Sequence, residues 1–220
     1  MSCSKSVITK YHTWLGGRGL TTIDLIRHGE TVWNREKRLQ GHSDVFLSER
    51  GKEQAEKLAE YMKDISISVV YSSDLRRALD TAKAIAEVHA LSVIPSKELR
   101  ERNMGVWAGK TLDDIQKSYL DWEQVRISGG AYGIEETKKL SRRVLNELKR
   151  LVELHKGEHI CVVSHGGCIN SVLSEITQGK YGIGKSIIEN TSITRLRFHE
   201  TDGWKVEFAN LTPHLKEEGK

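Results

Sequence analysis

Apolar residues recur along this chain at two spacings, and the switch between them marks out alternating strands and helices. Leu20 to Ile26 is a short run rich in threonine and isoleucine, the composition of a strand. Ser48 to Lys63 reads as a helix, with Ser48 at its start and Ala55, Leu58, Ala59 and Met62 at steps of three and four. Ile65 to Tyr71 is the next expected strand. Ser72-Ser73-Asp74 then opens a helix whose buried stripe is Leu75, Ala78, Leu79, Ala82 and Ile85. Leu91 to Ile94 predicts a short strand and Thr111 to Tyr119 a helix, while Trp122 to Gly133 is the least regular stretch and is expected to form a wall or lid. Glu135 to His155 is the longest helix, with Leu140, Val144, Leu148, Leu151 and Val152 facing inward. A strand from Ile160 to Ser164 and a helix from Cys168 to Thr177 follow. Ser192 to Phe198 and Trp204 to Ala209 flank Thr201-Asp202-Gly203 and predict a terminal hairpin.

Strands alternating with helices predict an α/β fold, a three-layer α/β/α sandwich with a mostly parallel central sheet. Ligands in such folds collect at the carboxyl ends of the strands. Residues 1–19 read as an N-terminal extension and 20–215 as a single domain with a small loop or helical cap at about 106–136. At 220 residues the chain has length enough for a core without disulfide or metal staples. Hydrophobic content of 38% against 29% charged residues fits a folded globular chain, and no apolar stretch is long enough to span a membrane.

The three cysteines, Cys3, Cys161 and Cys168, are an odd number without metal-ligand spacing; Cys161 and Cys168, in the apolar sequence flanking His165, are expected to be buried free thiols, in a reducing, cytoplasmic compartment. A net charge of +4 allows an anionic partner, but lysine and glutamate alternate on helix faces instead of gathering in a basic stripe. A small anionic substrate held by a few convergent positive charges accounts for the sequence equally well.

Candidate chemistry sits at two strand ends. Arg27-His28-Gly29-Glu30-Thr31 follows the first strand, and His165-Gly166-Gly167 follows the strand ending at Ser164. Two imidazoles and a guanidinium brought together would surround one phosphate, because arginine binds phosphate oxygens through two parallel donors. The remaining histidines lack such context, with His42 the least certain of them. There is no His/Asp cluster for a metal and no glycine-rich loop with an adjacent lysine, so neither a metal nor another cofactor is expected.

Five segments in order resemble the histidine phosphatase superfamily, in the phosphoglycerate mutase-like branch. They are Leu25-Ile26-Arg27-His28-Gly29-Glu30-Thr31 with Trp33-Asn34, the loop Leu39 to Asp44, the segment Tyr71 to Ala82, the segment Leu99 to Gly109, and Val163 to Gly167. The resemblance implies a phosphoglycerate mutase-like fold and assigns roles. His28 would be the nucleophile, with the proton on its other nitrogen held by a backbone carbonyl near Gly29, so that Gly29 matters for its backbone and not for its missing side chain. Glu101 would protonate the leaving oxygen and later activate water. Arg27, Arg77, His165, Asn34 and the helix start at Gly166 would hold the phosphoryl group, and motif spacing chooses Arg77 over Arg76.

Gln40, Trp107, Tyr119, Trp122 and Tyr132 are candidates for walling the substrate pocket, although aromatic residues at these spacings are more often core. The short interval from Arg102 to Ser164 is similar to the compact phosphatases, although Tyr132-Gly133-Ile134-Glu135-Glu136 departs from their frequent Gly-Gly-Glu-Ser-like sequence. The expected activity is metal-independent hydrolysis of small phosphomonoesters through a phosphohistidine. The alternatives are a cofactor-dependent phosphoglycerate mutase, and a non-catalytic phospholigand or nucleic-acid binding protein on the same fold. The expected partner is a small phosphorylated metabolite, with neither nucleic acid nor membrane. The N-terminal extension would allow a homodimer by capping a neighbouring subunit.

Overall fold

The computed structural model describes residues 19–215. Six strands, β1 (Thr21–Arg27), β2 (Val69–Ser73), β3 (Val93–Ser96), β4 (His159–Ser164), β5 (Ile193–His199) and β6 (Gly203–Leu211), form one sheet in the order β3-β2-β4-β1-β5-β6. The first four of that order run parallel, and β5 and β6 add an antiparallel hairpin at one edge. The central strands are apolar on both faces because helices cover both.

On one face lie α6 (Thr137–Leu154) and α7 (Gly166–Ile176), which bury Leu140, Val144, Leu148 and Ile169 against Ile23, Leu25 and Val162. On the other lie α2 (Glu49–Met62) and α3 (Arg76–Val88), with Leu58, Met62, Ala82 and Ile85 packed on Ile26, Val70 and Val163. Ser48 caps α2 by accepting from the Gly51 N–H at 3.1 Å. Burial of these apolar faces is what holds the three layers together. No helix among the described residues is long and apolar enough to cross a membrane.

The expected irregular stretch is corrected in part: Trp122–Ser128 is a helix, α5, which pairs with α4 (Leu112–Ser118). The two share a small core of their own with Trp107, Ile115, Val125 and Ile134. The second strand starts later than its apolar pattern predicts. Ile65 and Ile67 pack into the core from a loop, and pairing begins at Val69 opposite Ile160. A four-residue helix, α1 (Val32–Arg35), lies beside the first strand end and is capped by Thr31 and Asn34. Residues 1–18, including nearly all of the expected N-terminal extension and Cys3, lie outside the described residues.

Candidate active site

Strand register brings the two histidines together. β1 and β4 run parallel with Arg27 opposite Ser164, so the next residue on each strand, His28 and His165, emerges at the same edge. The His28 N–H donates to the Ser164 carbonyl at 3.0 Å, and the two rings stand 5.1 Å apart between centroids at 60°. β2 ends at that edge too and delivers Arg77 from the first turn of α3. Glu101 arrives on the loop that follows β3. That loop is tied to β4 and α7 where Ser164 Oγ donates to the Leu99 carbonyl at 2.8 Å and Cys168 Sγ donates to the Arg100 carbonyl at 2.9 Å.

His28 is 3% exposed, and its Nδ1 lies 2.7 Å from the Gly29 carbonyl. A carbonyl only accepts, so Nδ1 carries the hydrogen and Nε2 keeps its lone pair. Burial, together with the nearby Arg77 and Arg27 charges, holds the His28 imidazole well below its usual pKa of 6.5. His165 is buried with neither ring nitrogen partnered, and burial with Arg77, His28 and Arg27 lowers its pKa in the same way. Both shifts favour the neutral imidazole.

This pair makes stability depend on pH. A depressed folded-state pKa means that the unfolded chain binds more protons below about pH 6.5, so stability present above that value is lost as pH falls. The melting temperature is expected to drop between pH 7 and pH 5. Each imidazole contributes a slope of up to about 1.4 kcal/mol per pH unit, and a His28→Ala variant should show the shallower curve.

The guanidinium of Arg77 is fully buried. It donates to the carbonyls of Gly41 and Ser43, each at 2.8 Å, while its Nε has no partner. Burial lowers its pKa to about 10, which leaves it cationic at neutral pH. Arg27 donates to the Ile188 carbonyl and also keeps an unpartnered Nε. Arg76 instead lies on the surface, beside Asp44 and over the Phe46 ring. Asn34 commits its Oδ1 to Thr31, which leaves its amide donors for the cavity it lines. Gly166 packs against Arg27, a Cβ there falling 3.6 Å from the guanidinium.

The Glu101 carboxylate accepts from the Arg102 N–H at 2.8 Å and from the Gly167 N–H at 3.1 Å. A Cβ on Gly167 would stand 2.3 Å from Glu101 Oε1, so this glycine is the space the carboxylate occupies. Gly167→Ala is expected to swing Glu101 aside and lower kcat about 10²-fold with the fold intact, as read by turnover beside a melting curve. Gly29 requires a correction of the same kind. A Cβ there would meet the Gly51 carbonyl at 2.5 Å, so its missing side chain matters as much as its backbone.

A cavity of about 600 Å³ opens over these groups. Gln40 lines it, donating to Thr31 Oγ1 at 2.8 Å with its own Oε1 unpartnered. The four aromatic residues do not line it, and their expected role is corrected. Trp107 is 1% exposed and packs with Tyr119 in the small core of the α4–α5 cap, Tyr132 stacks on Trp107 from the surface with its hydroxyl donating to Asp121, and Trp122 lies beside that core under Arg126. Their rings cover the cap's apolar interior, which would otherwise face water. The charged side chains that line the cavity instead include Arg38, Arg102, Arg126 and Lys185. Among the residues lining this cavity, six carry positive charge and only Glu101 carries a carboxylate.

Sequence reasoning also missed the turn behind His28. Asn190 Nδ2 donates to the His28 carbonyl at 2.9 Å, and the Thr191 N–H donates to the Arg27 carbonyl at 3.0 Å. Thr191 holds φ at 56°, a left-handed conformation costly for a β-branched residue. Two buried thiols complete the surroundings. Burial pushes Cys168 up to about 12 and Cys161 well above its ordinary value. Among the described residues no three His, Cys, Asp or Glu side chains gather as a metal site.

The arrangement offers a neutral imidazole nitrogen, two guanidinium groups, a second imidazole and one carboxyl around a space fit for a tetrahedral dianion. The family model for the histidine phosphatase superfamily (branch 1) matches residues 23–212. A phosphoglycerate mutase-like protein of Arabidopsis thaliana is 38% identical over 207 residues, covering 90% of this chain and 88% of its own. An uncharacterized phosphatase of Bacillus subtilis (strain 168) is 29% identical over 197 residues, covering 89% and 97%. Among solved structures, the phosphoserine phosphatase of Entamoeba histolytica in complex with 3-phosphoglyceric acid superposes with a TM-score of 0.78 at 28% identity, covering 89% of this chain and all of that one.

Proposed function

This chain belongs to the histidine phosphatase superfamily, and we propose that within it the protein is a metal-independent phosphatase of small phosphomonoesters. The observation that carries the reading is the His28 Nδ1–H bond to the Gly29 carbonyl, which leaves Nε2 free between Arg27 and Arg77. Nε2 attacks phosphorus, the N–P bond forms as the ester P–O bond breaks, and Glu101 gives its proton to the departing alcohol. Arg27, Arg77, Asn34 and His165 donate to the phosphoryl oxygens, where charge is spread as the bond breaks. Water then attacks the phosphohistidine, Glu101 takes a proton back, and phosphate leaves with His28 neutral again.

The domain is proposed to run from 20 to 215 with its cap at about 106–136, in a cytoplasmic protein. Two short helices over an open cavity support hydrolysis, since a mutase must shield its intermediate from water. The cations lining the cavity support a substrate whose alcohol carries a second negative charge. Phosphoserine and 3-phosphoglyceric acid, named with the similar phosphatases, have that chemistry.

The test is a phosphate-release panel in excess chelator, with 3-phosphoglycerate, α-ribazole phosphate, sugar phosphates and an aryl phosphate. Hydrolysis under chelator is expected, and isomerisation of 3-phosphoglycerate dependent on a bisphosphate primer would establish the mutase instead. Arg126→Ala is expected to raise KM about 10-fold for carboxylate-bearing esters, the loss of one charge-assisted hydrogen bond, and to leave the aryl ester unchanged. Strong retention on nucleic acid without turnover would favour the binding-protein reading.

A further inference from the structure

Glu101 stands on irregular backbone, after a short 3-10 turn at Lys97–Leu99, so no helix or strand ladder fixes the orientation of its peptide. Its carbonyl instead receives two side-chain donors, Arg143 Nη2 at 3.0 Å and His42 Nε2 at 2.8 Å. The acceptor is a carbonyl, so His42 Nε2 carries the hydrogen. The two donors do different things. Arg143 also forks onto the Glu135 carboxylate at 2.8 and 2.9 Å and donates to the Glu98 carbonyl at 2.7 Å, so it assembles the whole loop.

His42 is half-buried, and its side chain bonds to the Glu101 carbonyl. It lies between Gly41 and Ser43, whose carbonyls hold the Arg77 guanidinium. One three-residue segment therefore grips the phosphate-facing arginine through its backbone and the acid's backbone through its side chain. A general acid has to lie within hydrogen-bond reach of the oxygen it protonates, and a small rotation of the 101–102 peptide would carry the carboxyl out of that reach.

We propose that His42 is a positioning residue for Glu101, fixing the acid relative to the phosphoryl site through its hydrogen bond to the Glu101 carbonyl. The inference rests on Glu101 acting as the acid, and the experiment separates the two. The reading is kcat/KM, which covers steps through cleavage of the ester bond, for an alkyl phosphate and an aryl phosphate. An alkoxide needs a proton to depart and a nitrophenolate does not, so a misplaced acid slows the first substrate selectively. A purely structural loss slows both alike.

His42→Ala is expected to lower kcat/KM about 10-fold on the alkyl ester and less than about 2-fold on the aryl ester, a fraction of what a general acid contributes. His42→Gln, whose side-chain amide can donate to the same carbonyl, restores most of the alkyl rate. If the alanine variant does not fold, His42→Asn, too short to reach the carbonyl, takes its place. Glu101→Gln runs alongside and is expected to discriminate by about 10²-fold or more. Discrimination by Glu101→Gln with equal losses, or none, in the His42 variants overturns the positioning role alone. No discrimination by Glu101→Gln overturns the acid assignment and the inference with it.

Discussion

Replacing His28 by alanine is expected to lower kcat by at least about 10⁴-fold, because a nucleophile that acts as part of a unit leaves only binding and electrostatics when removed. The fold should survive. The His28 ring donates to the neighbouring Gly29 carbonyl and faces the cavity, so its loss orphans no distant group. Inorganic phosphate should still bind, since Arg27, Arg77 and His165 remain in place. Rapid quench with a labelled phosphomonoester reads the step directly: acid-labile label accumulates on the unaltered protein and none on the variant. Turnover within an order of magnitude of the parent would remove His28 from the mechanism.

Arg77→Ala is the second large effect, with an expected fall in kcat/KM of about 10³- to 10⁵-fold, the range for an arginine that stabilises a transferring phosphoryl group. Stability should fall as well. The fully buried guanidinium satisfies the Gly41 and Ser43 carbonyls, and each orphaned acceptor costs about 1–3 kcal/mol. Arg77→Lys keeps the charge but cannot serve two carbonyls and the phosphoryl oxygens from one nitrogen, so it should recover only part of the loss. Arg76→Ala, one residue away and exposed over Phe46, should stay within about 0.5 kcal/mol of the parent in stability and within about twofold in rate. A comparable collapse at Arg76 would mean that the wrong guanidinium has been assigned.

The layered fold was legible because its helices bury long stripes: Leu140, Val144, Leu148 and Leu151 repeat too regularly to be read otherwise. α5 was not legible, since a seven-residue helix with Val125 as its buried residue and no side-chain cap leaves no periodic trace. The site was legible where a residue follows its strand directly, as His28 and His165 do, while Arg77 and Glu101 were reached only through the resemblance of their segments. It was illegible where chain-distant segments converge. Nothing local to Arg126 or Asn190 says that they face the cavity or the His28 carbonyl. The aromatic residues misled for a related reason. A tryptophan or tyrosine suits a ligand wall and a small core equally well, and Trp107 was needed to fill the cap.

The buried thiols of Cys161 and Cys168 have a consequence for how the protein behaves under stress. Peroxide and alkylating reagents attack the thiolate, and both groups are shielded from water and held in the protonated form. With nitrogen rather than sulfur as the proposed attacking atom, an oxidative burst that silences thiolate-dependent phosphatases should pass this one by. Dephosphorylation of its substrate would then continue after the cell's cysteine chemistry has been switched off.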